Sequence, residues 1–470
     1  MRGRLRPQIK KTSSEPGKLS LLRVTKYLSF FVGTIILICL FVFIFFPDPI
    51  INSLFKDRIT ADFTKAYPSY SIKLGKLHYN VWKNRLGCDS ITLNINDLSC
   101  RAVSFSISGM SWMKIIRQRN ITSDALTNSV IDAQNIILDF PKSQIGLRLK
   151  MLHLSLLDSV LTAESIKYYS LLNDEQLFAK SKFRQTRFRF TIPKIKITKL
   201  DCFALLQGNI YKAGSIDLND LVADILVNMD KPYDITSTKP QMPNEALNSI
   251  KEIIKINNLK ITNGRLNYCE RYVVKEKPGI ITFNKVNILV TGIANHTGRS
   301  ETVVINGDGL FMNSGKIKLF MEIPLNSKKF SLRYSGSLSS MDVSDLNSFI
   351  EKSEHRRIKS GYLQSAFYNI DVNSGYAKGV LRVEYKDLSI AVLDKKTGSE
   401  KGIFNRIISL FGKLFVIRGN NIPDDKGLMK IGEIKYRRDP DDYFLQFLWF
   451  ALRNGVGDVV GFPPKELSVK

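Results

Sequence analysis

From Tyr70 onward, apolar and polar residues alternate with a period of two, the pattern of β-strands that bury one face and wet the other. Ile91, Leu93 and Ile95 alternate with Thr92 and Asn94, Val103, Phe105 and Ile107 with Ser104 and Ser106, and Leu147, Leu149 and Met151 with Arg148 and Lys150. The pattern returns at Ile195 and Ile197, Leu259 and Ile261, Ile281 and Phe283, and Val286, Ile288 and Val290. It continues through Ile317, Leu319, Met321 and Ile323, then Phe330, Leu332 and Tyr334, then Leu381, Val383 and Tyr385. Asn96-Asp97, Asn263-Gly264, Asn306-Gly307-Asp308-Gly309, Asn313-Ser314-Gly315 and Asn326-Ser327 read as turns. Strands joined by short turns predict a predominantly antiparallel sheet, and roughly twenty of them are more than a strongly twisted open sheet holds without curling or splitting. The expected fold is mainly β: an elongated, curled antiparallel sheet forming a groove, with a few short helices. Ile195, Ile197, Leu259, Ile261, Ile317, Leu319 and Met321 are the expected groove lining, although the same alternation suits an ordinary sandwich core.

Before Tyr70 the pattern differs. Residues 28–46, LSFFVGTIILICLFVFIFF, run for 19 residues without a charge, about what a helix needs to cross a hydrocarbon core of roughly 30 Å. Leu28, Phe31, Ile35, Leu40 and Phe46 sample this single transmembrane helix from end to end. Arg2, Arg4, Arg6, Lys10, Lys11, Lys18, Arg23 and Lys26 precede it against Glu15 alone, so the positive-inside rule places residues 1–27 in the cytoplasm and everything after Pro47 across the membrane. The run is longer than a signal-peptide core and ends in Phe-Phe-Pro-Asp-Pro without an Ala-x-Ala-like site, which predicts an uncleaved anchor.

Helical spacing appears in a few other places. Ile51, Leu54, Phe55, Ile59 and Phe63 predict a short amphipathic helix at the membrane exit. Residues 155–172 fit strand or helix, and residues 341–354 fit a short helix capped by Ser344 or Asp345. Residues 403–415 carry an apolar helical face of Ile403, Phe404, Ile407, Ile408, Phe411, Leu414 and Phe415. Asp439-Pro440-Asp441-Asp442 reads as a helix start, leading through Phe444, Phe447 and Trp449 to a close at Gly455. That helix is too short to span a bilayer and is therefore buried or interfacial. Phe404, Ile408, Phe411, Phe444, Phe447 and Trp449 are candidates for a membrane-facing tip, with packing against the sheet as the plain alternative. The chain thus divides into a basic tail (1–27), a transmembrane helix (28–46), a β-rich groove domain (47–402) and a C-terminal segment with amphipathic or apolar helices (403–470).

Composition sharpens this little. The formal charge is +26, of which the tail holds +7, so +19 lies beyond the membrane. That favours anionic partners or simply a solvated Lys-rich surface. Cys88, Cys100, Cys202 and Cys269 lack a zinc spacing, and whether they pair stays open. His78, His153, His296 and His355 are too dispersed for a ligand cluster. No G-x-S-x-G, H-E-x-x-H or G-x-x-x-x-G-K motif is present, and the acidic groups at Asp424-Asp425 and Asp439 to Asp442 sit where caps and turns use them. Neither catalysis, a cofactor nor nucleic-acid binding is expected.

The anchor with the strand pair after it, KINNLKITNGRLNY at 255–268, YKDLSIAVLD at 385–394, FGKLFVIRGNN at 411–421 and the ending KIGEIKYRRDPDDYFLQFLWFALRNGVGDVVGF at 430–462 together resemble the AsmA-like family of bacterial envelope proteins. The resemblance is one of anchor, strands and tail across most of residues 28–462. It implies a β-groove related to that of the chorein-type bridge proteins, standing off the bacterial inner membrane with its bulk in the periplasm. It also implies an apolar lining for phospholipid acyl chains and roles in outer-membrane biogenesis. The partners it implies are phospholipids or other acyl lipids, the inner membrane, and the outer membrane or envelope proteins. Independently of the family, each CH2 kept out of water is worth about 0.8 kcal/mol, so a continuous apolar trough would lower the barrier to moving an acyl chain. An envelope assembly scaffold that carries no lipid is the alternative.

Overall fold

The computed structural model describes residues 52, 56–66, 68–80, 83–95, 97–111, 113–114, 117, 123–208, 210–234, 236, 239–295, 301–327, 329–394, 397–403, 406–408 and 414–461. The expected anchor, with Leu28, Phe31, Ile35, Leu40 and Phe46, lies outside them, and no helix among the described residues is long and apolar enough to cross a membrane.

The protein is mainly β. Its first strands are β1 (Tyr70–Leu74), β2 (Leu77–Asn80), β3 (Arg85–Cys88), β4 (Ile91–Ile95), β5 (Leu98–Ala102), β6 (Ser104–Ser108), β7 (Val130–Phe140), β8 (Ile145–Ser155) and β9 (Val160–Ser170). Then come β10 (Thr186–Thr198), β11 (Ile210–Asn219), β12 (Val222–Asn228), β13 (Ile253–Arg271), β14 (Gly279–Ala294), β15 (Thr302–Phe311), β16 (Gly315–Pro324) and β17 (Leu332–Asp342). The last are β18 (Arg356–Asn373), β19 (Tyr376–Leu393), β20 (Glu400–Ile403), β21 (Arg406–Ile408), β22 (Leu414–Val416) and β23 (Gly432–Arg437). All but the small β21–β22 hairpin belong to one 21-stranded sheet. Five pairs lie end to end (β1/β2, β3/β4, β5/β6, β11/β12 and β20/β23), so the 21 strands make sixteen rungs. At ~4.8 Å per rung the sheet is roughly 70 Å wide, shorter than about twenty separate strands would make it.

Rungs follow chain order, and every pairing is antiparallel except that of β11 and β12 with β13, which is parallel. The sheet is therefore predominantly antiparallel, as the short turns predict, and mixed at this one step. A parallel step needs a long return connection, and residues 229–252 supply it, including helix α5 below. Seven helices flank the sheet among the described residues: α1 (Lys56–Ala66), α2 (Ser123–Leu126), α3 (Asp174–Lys180), α4 (Cys202–Gln207), α5 (Pro243–Ser249), α6 (Asn347–Ser353) and α7 (Phe444–Val460).

Several local expectations change. Residues 160–170 are a strand, and Asp342, whose side chain accepts from the Ser344 N–H, caps the turn that precedes α6 in place of Ser344 or Asp345. The expected helix at 403–415 is absent: Ile403 ends β20, laddered to Ala391, and residues 406–408 and 414–416 pair as strands. Ile403, Ile407 and Ile408 are β-branched and suit strands; Ile403 takes an edge place on β19, while Ile407 and Ile408 pair with Phe415 and Leu414. Phe404 and Phe411 lie outside the described residues, as does the side chain of Ile408. Asn263-Gly264 and Asn306 to Gly309 are not turns but lie inside β13 and β15. Val103 is 57% exposed and Met151 40%, so neither shares a face with the buried Phe105, Ile107 and Leu149.

The parity misreadings share a cause. Asn135, Ser165, Asp220, Asn263 and Lys285 have φ between 48° and 54°, a conformation that Asn and Asp accept more readily than other side chains. The buried parity flips across each: Ile131 and Ala133 are followed by Ile136 and Leu138, while the pairing runs on unbroken, with Gln134 opposite Met151 and Ile136 opposite Leu149. Such bulges bend a strand and increase its twist.

Apolar side chains gather at the two ends of the sheet. One core joins α1 and β1 to β9, from Phe63 to Cys202. The other joins β15 to β19 and β23 to α7 through Tyr334, Leu381, Ile434, Phe447 and Ala451. Met242, at the head of α5, is wholly buried in this second core, so the return connection crosses the same sheet face that α7 covers. Asn295 anchors its end, donating to the Leu247, Ile250 and Glu252 carbonyls and accepting from Ile254 N–H at 2.6 Å.

Candidate functional site

Residues directly opposite across a sheet share a face, so the register can be followed from rung to rung. One file starts Leu77, Cys88, Phe105, Ala133, Leu152, Ala163. It continues Ile195, Leu218, Ile261, Ile288, Gly307, Leu319 and ends Gly336, Tyr368, Leu381, Gly432. A second starts Tyr79, Leu86, Ile107, Ile131, Leu154, Leu161. It runs on through Ile197, Ile216, Leu259, Val290, Ile305, Met321 to Tyr334, Ile370, Gly379, Ile434. Neither file contains a charged residue, and both cross all sixteen rungs.

Six of the seven residues expected to line a groove stand in these two files. Ile317 stands in a third on the same face, opposite Gly309 and Leu338. Their surroundings differ. Ile195 and Ile197 pack against the first core, and Leu319 and the buried Met321 belong with the second. Ile216, Leu218, Leu259, Ile261 and Ile288 are half-buried and join neither core. An apolar strip therefore lies between two closed ends, on β11, β13 and β14. The opposite face is polar there: Lys260 and Asp217 are neighbours across rungs, and Leu289 beside Lys260 is 40% exposed.

No protein-family model matches the chain, and no curated protein matches it.

Beyond the bulges the same face becomes aromatic. Tyr168 lies opposite Phe190 with ring centroids 5.6 Å apart, Phe188 stacks on Phe190 at 6.1 Å and is 42% exposed, and Phe283 meets Phe311 at 5.2 Å. Tyr268 follows, opposite Ile225 and Ile281, with Phe349 of α6 at 6.5 Å. Glu270 is held here by two phenols: Tyr268 donates to its Oε1 at 2.6 Å and Tyr272 to its Oε2. Burial first, and then the Glu270 charge, raise both tyrosines well above the usual phenol range, so they stay protonated donors. Sequence reasoning missed this group because the bulge at Asn263 moves Tyr268 and Glu270 onto the face of Ile261 against strict alternation.

On the far face of the same rungs, α3 is docked by buried guanidiniums. Arg187 pairs with Asp174 at 3.1 Å and Asp224 at 2.9 Å, and Arg271 pairs with Asp230 at 3.2 Å and Glu175 at 3.1 Å while lying over the Phe178 ring. A shallow cavity of 370 Å³ near β2, β3 and β6 is lined by His78, Arg85, Asp89 and Asp132. Its ionic groups are already engaged: His78 with Asp89, Arg85 with Ser106, and Asp132 with His153. No group of three or more metal-ligating side chains occurs among the described residues.

The proposed tip residues separate. Phe447 is wholly buried against Phe330 and Tyr436, so it cannot face a membrane from this position. Phe444 packs on the second core, while Trp449 is 49% and Leu445 61% exposed. The helix runs past Gly455, which read as its stop: Gly455 and Gly457 lie inside α7, and Gly461, at φ 97°, ends it. The four described cysteines are separate buried thiols.

Proposed function

We propose that this chain is a membrane-anchored, AsmA-like lipid-binding protein that holds acyl chains on the apolar face of a curled β-sheet and supports phospholipid transfer or outer-membrane biogenesis. Residues 28–46 supply its inner-membrane anchor in this reading, and the β-body stands in the periplasm. The observation that carries it is the pair of uninterrupted apolar files, with a half-buried strip at Ile216, Leu218, Leu259, Ile261 and Ile288 that neither core covers. Leaving such residues half-wet forgoes part of the ~25 cal/mol per Å2 that covering them would return, and an acyl chain restores it without any catalytic group. The line of bulges supports a curl toward that face.

The closed ends favour a second reading for part of the molecule: β1 to β8, and the rungs beneath α7, serve as scaffold and carry no lipid. The test is photo-crosslinking in the full chain in its membrane, with benzoylphenylalanine replacing either Ile261 or Leu289. Lipid adducts at Ile261 and few at the outward Leu289 are expected. Equal labelling at both positions, or none at Ile261, would leave only the scaffold.

A further inference from the structure

Glu270 is an uncompensated carboxylate in a basic protein. The chain carries 69 Lys and Arg against 43 Asp and Glu, yet among the described residues no cation forms an ion pair with Glu270. Its neighbours are paired: Arg271 goes to the opposite face and Asp230, and Glu354 takes buried Arg453 of α7 at 2.7 Å. Glu270 is half-buried, and its two oxygens each accept one phenol, which leaves lone pairs free on both. The Tyr268 and Tyr272 phenols reach it, the Phe349 ring lies 6.5 Å from that of Tyr268, and Tyr233, 43% exposed, is near enough to raise the Tyr268 phenol. Half-burying a carboxylate without a counter-ion is costly. A carboxylate beside a cluster of aromatic rings is the chemistry that binds an organic ammonium, through charge and the ring quadrupoles together.

The placement selects the ammonium. Glu270 stands on the same face as the apolar strip and on the same rung as Ile261. Nine residues of β13 separate them, roughly 30 Å of strand, while one leaflet's acyl layer is about 15 Å deep. A lipid whose head sits at Glu270 can thus lay its chains across Leu266 as far as about Gly264, roughly halfway to Ile261 and at the near end of the strip. We infer that Glu270, with Tyr268, Tyr272 and Phe349, is a headgroup site for the ammonium of a zwitterionic lipid, and that the trough selects such lipids over anionic ones. This rests on the lipid-binding reading above.

The test uses the full-length chain in detergent, exchanged against mixed micelles of phosphatidylethanolamine and phosphatidylglycerol with identical acyl chains, and native mass spectrometry of the bound lipid. A preference for the ethanolamine lipid of roughly fivefold or more is expected, falling to about one in Glu270→Gln, whose amide oxygen keeps an acceptor for a tyrosine. A second arm needs no mutant: N-acetylated phosphatidylethanolamine, which has lost its ammonium, should bind wild type no better than the glycerol lipid. A wild-type ratio near one, or a ratio that acetylation leaves unchanged, overturns the headgroup site while lipid binding stands. A folded wild type that holds neither lipid overturns the lipid reading, and the headgroup site with it.

Discussion

Arg187 and Arg271 fasten α3 from beneath the sheet, and both guanidiniums are about 5% exposed. Their value depends on keeping every partner, because a buried charge left unpaired costs about 3–5 kcal/mol. The double substitution Asp174→Asn and Asp224→Asn should therefore destabilise the protein by about that much, read as a shift in urea midpoint; Arg187→Met, which removes the charge itself, should cost less. The opposite ranking would show that packing, not ion pairing, holds α3. The thiols give a different dependence. Burial first, then Asp201 beside Cys202 and Asp224 beside Cys269, push both thiols up to about 11 from 9.0. Below pH 9 folded and unfolded thiols are both protonated; between 9 and 11 the unfolded chain loses protons that the folded one keeps, so stability falls as pH rises through that window. Melting temperatures from pH 8 to 10.5 should decline less steeply in Cys202→Ala with Cys269→Ala than in wild type.

At the scale of elements, α7 shows how contact overrides local preference. Glycine read as a helix stop is a fair inference from the chain alone, but a Cβ on Gly455 would lie 2.7 Å from Ile434 Cγ1, and one on Gly432 would strike the Gly455 carbonyl. The glycines are there so that helix and β23 can touch backbone to backbone. Gly432→Ala should cost about 1–3 kcal/mol by overpacking and make residues 422–431 cleavable by protease before the rest of the chain; an unchanged digestion pattern would mean that the helix shifts to accept the methyl. Most strands were legible, since Ile195 and Ile197 or Leu259 and Ile261 announce their face by alternation alone. What was hidden lies beyond single bulges, where parity flips: Val103 and Met151 fell on the wrong side, and Tyr268 and Glu270 could not be placed beside Ile261. The residues at 403–408 were misread for a related reason. Their spacing suits a helix, but the edge of β19 takes Ile403 and residues 414–416 take Ile407 and Ile408, ladders that no local pattern records.

Across the whole molecule the two apolar files are longer than the strip available to a ligand. They cross sixteen rungs, yet Leu77, Leu86, Phe105 and Ile131 at one end are each no more than 2% exposed, and Tyr334, Leu381 and Ile434 at the other lie against α7. A conduit open along its length would load lipid in proportion to its rungs. A strip spanning β11, β13 and β14, with the aromatic end beyond it, has room for one or two acyl lipids, given a lipid cross-section of a few ~4.8 Å rungs. Native mass spectrometry of the full chain should accordingly find about one lipid bound, and Ile261→Asp, which puts a charge in the middle of the strip, should remove it without altering the circular dichroism. Several lipids per chain would mean that α7 or the return connection through Met242 lifts from the floor. In that case Gly432→Ala, by prising α7 from β23, should raise the count further. If occupancy stays near one in both proteins, the rungs under α7 are structural, and lipid is held and presented by the middle of the sheet.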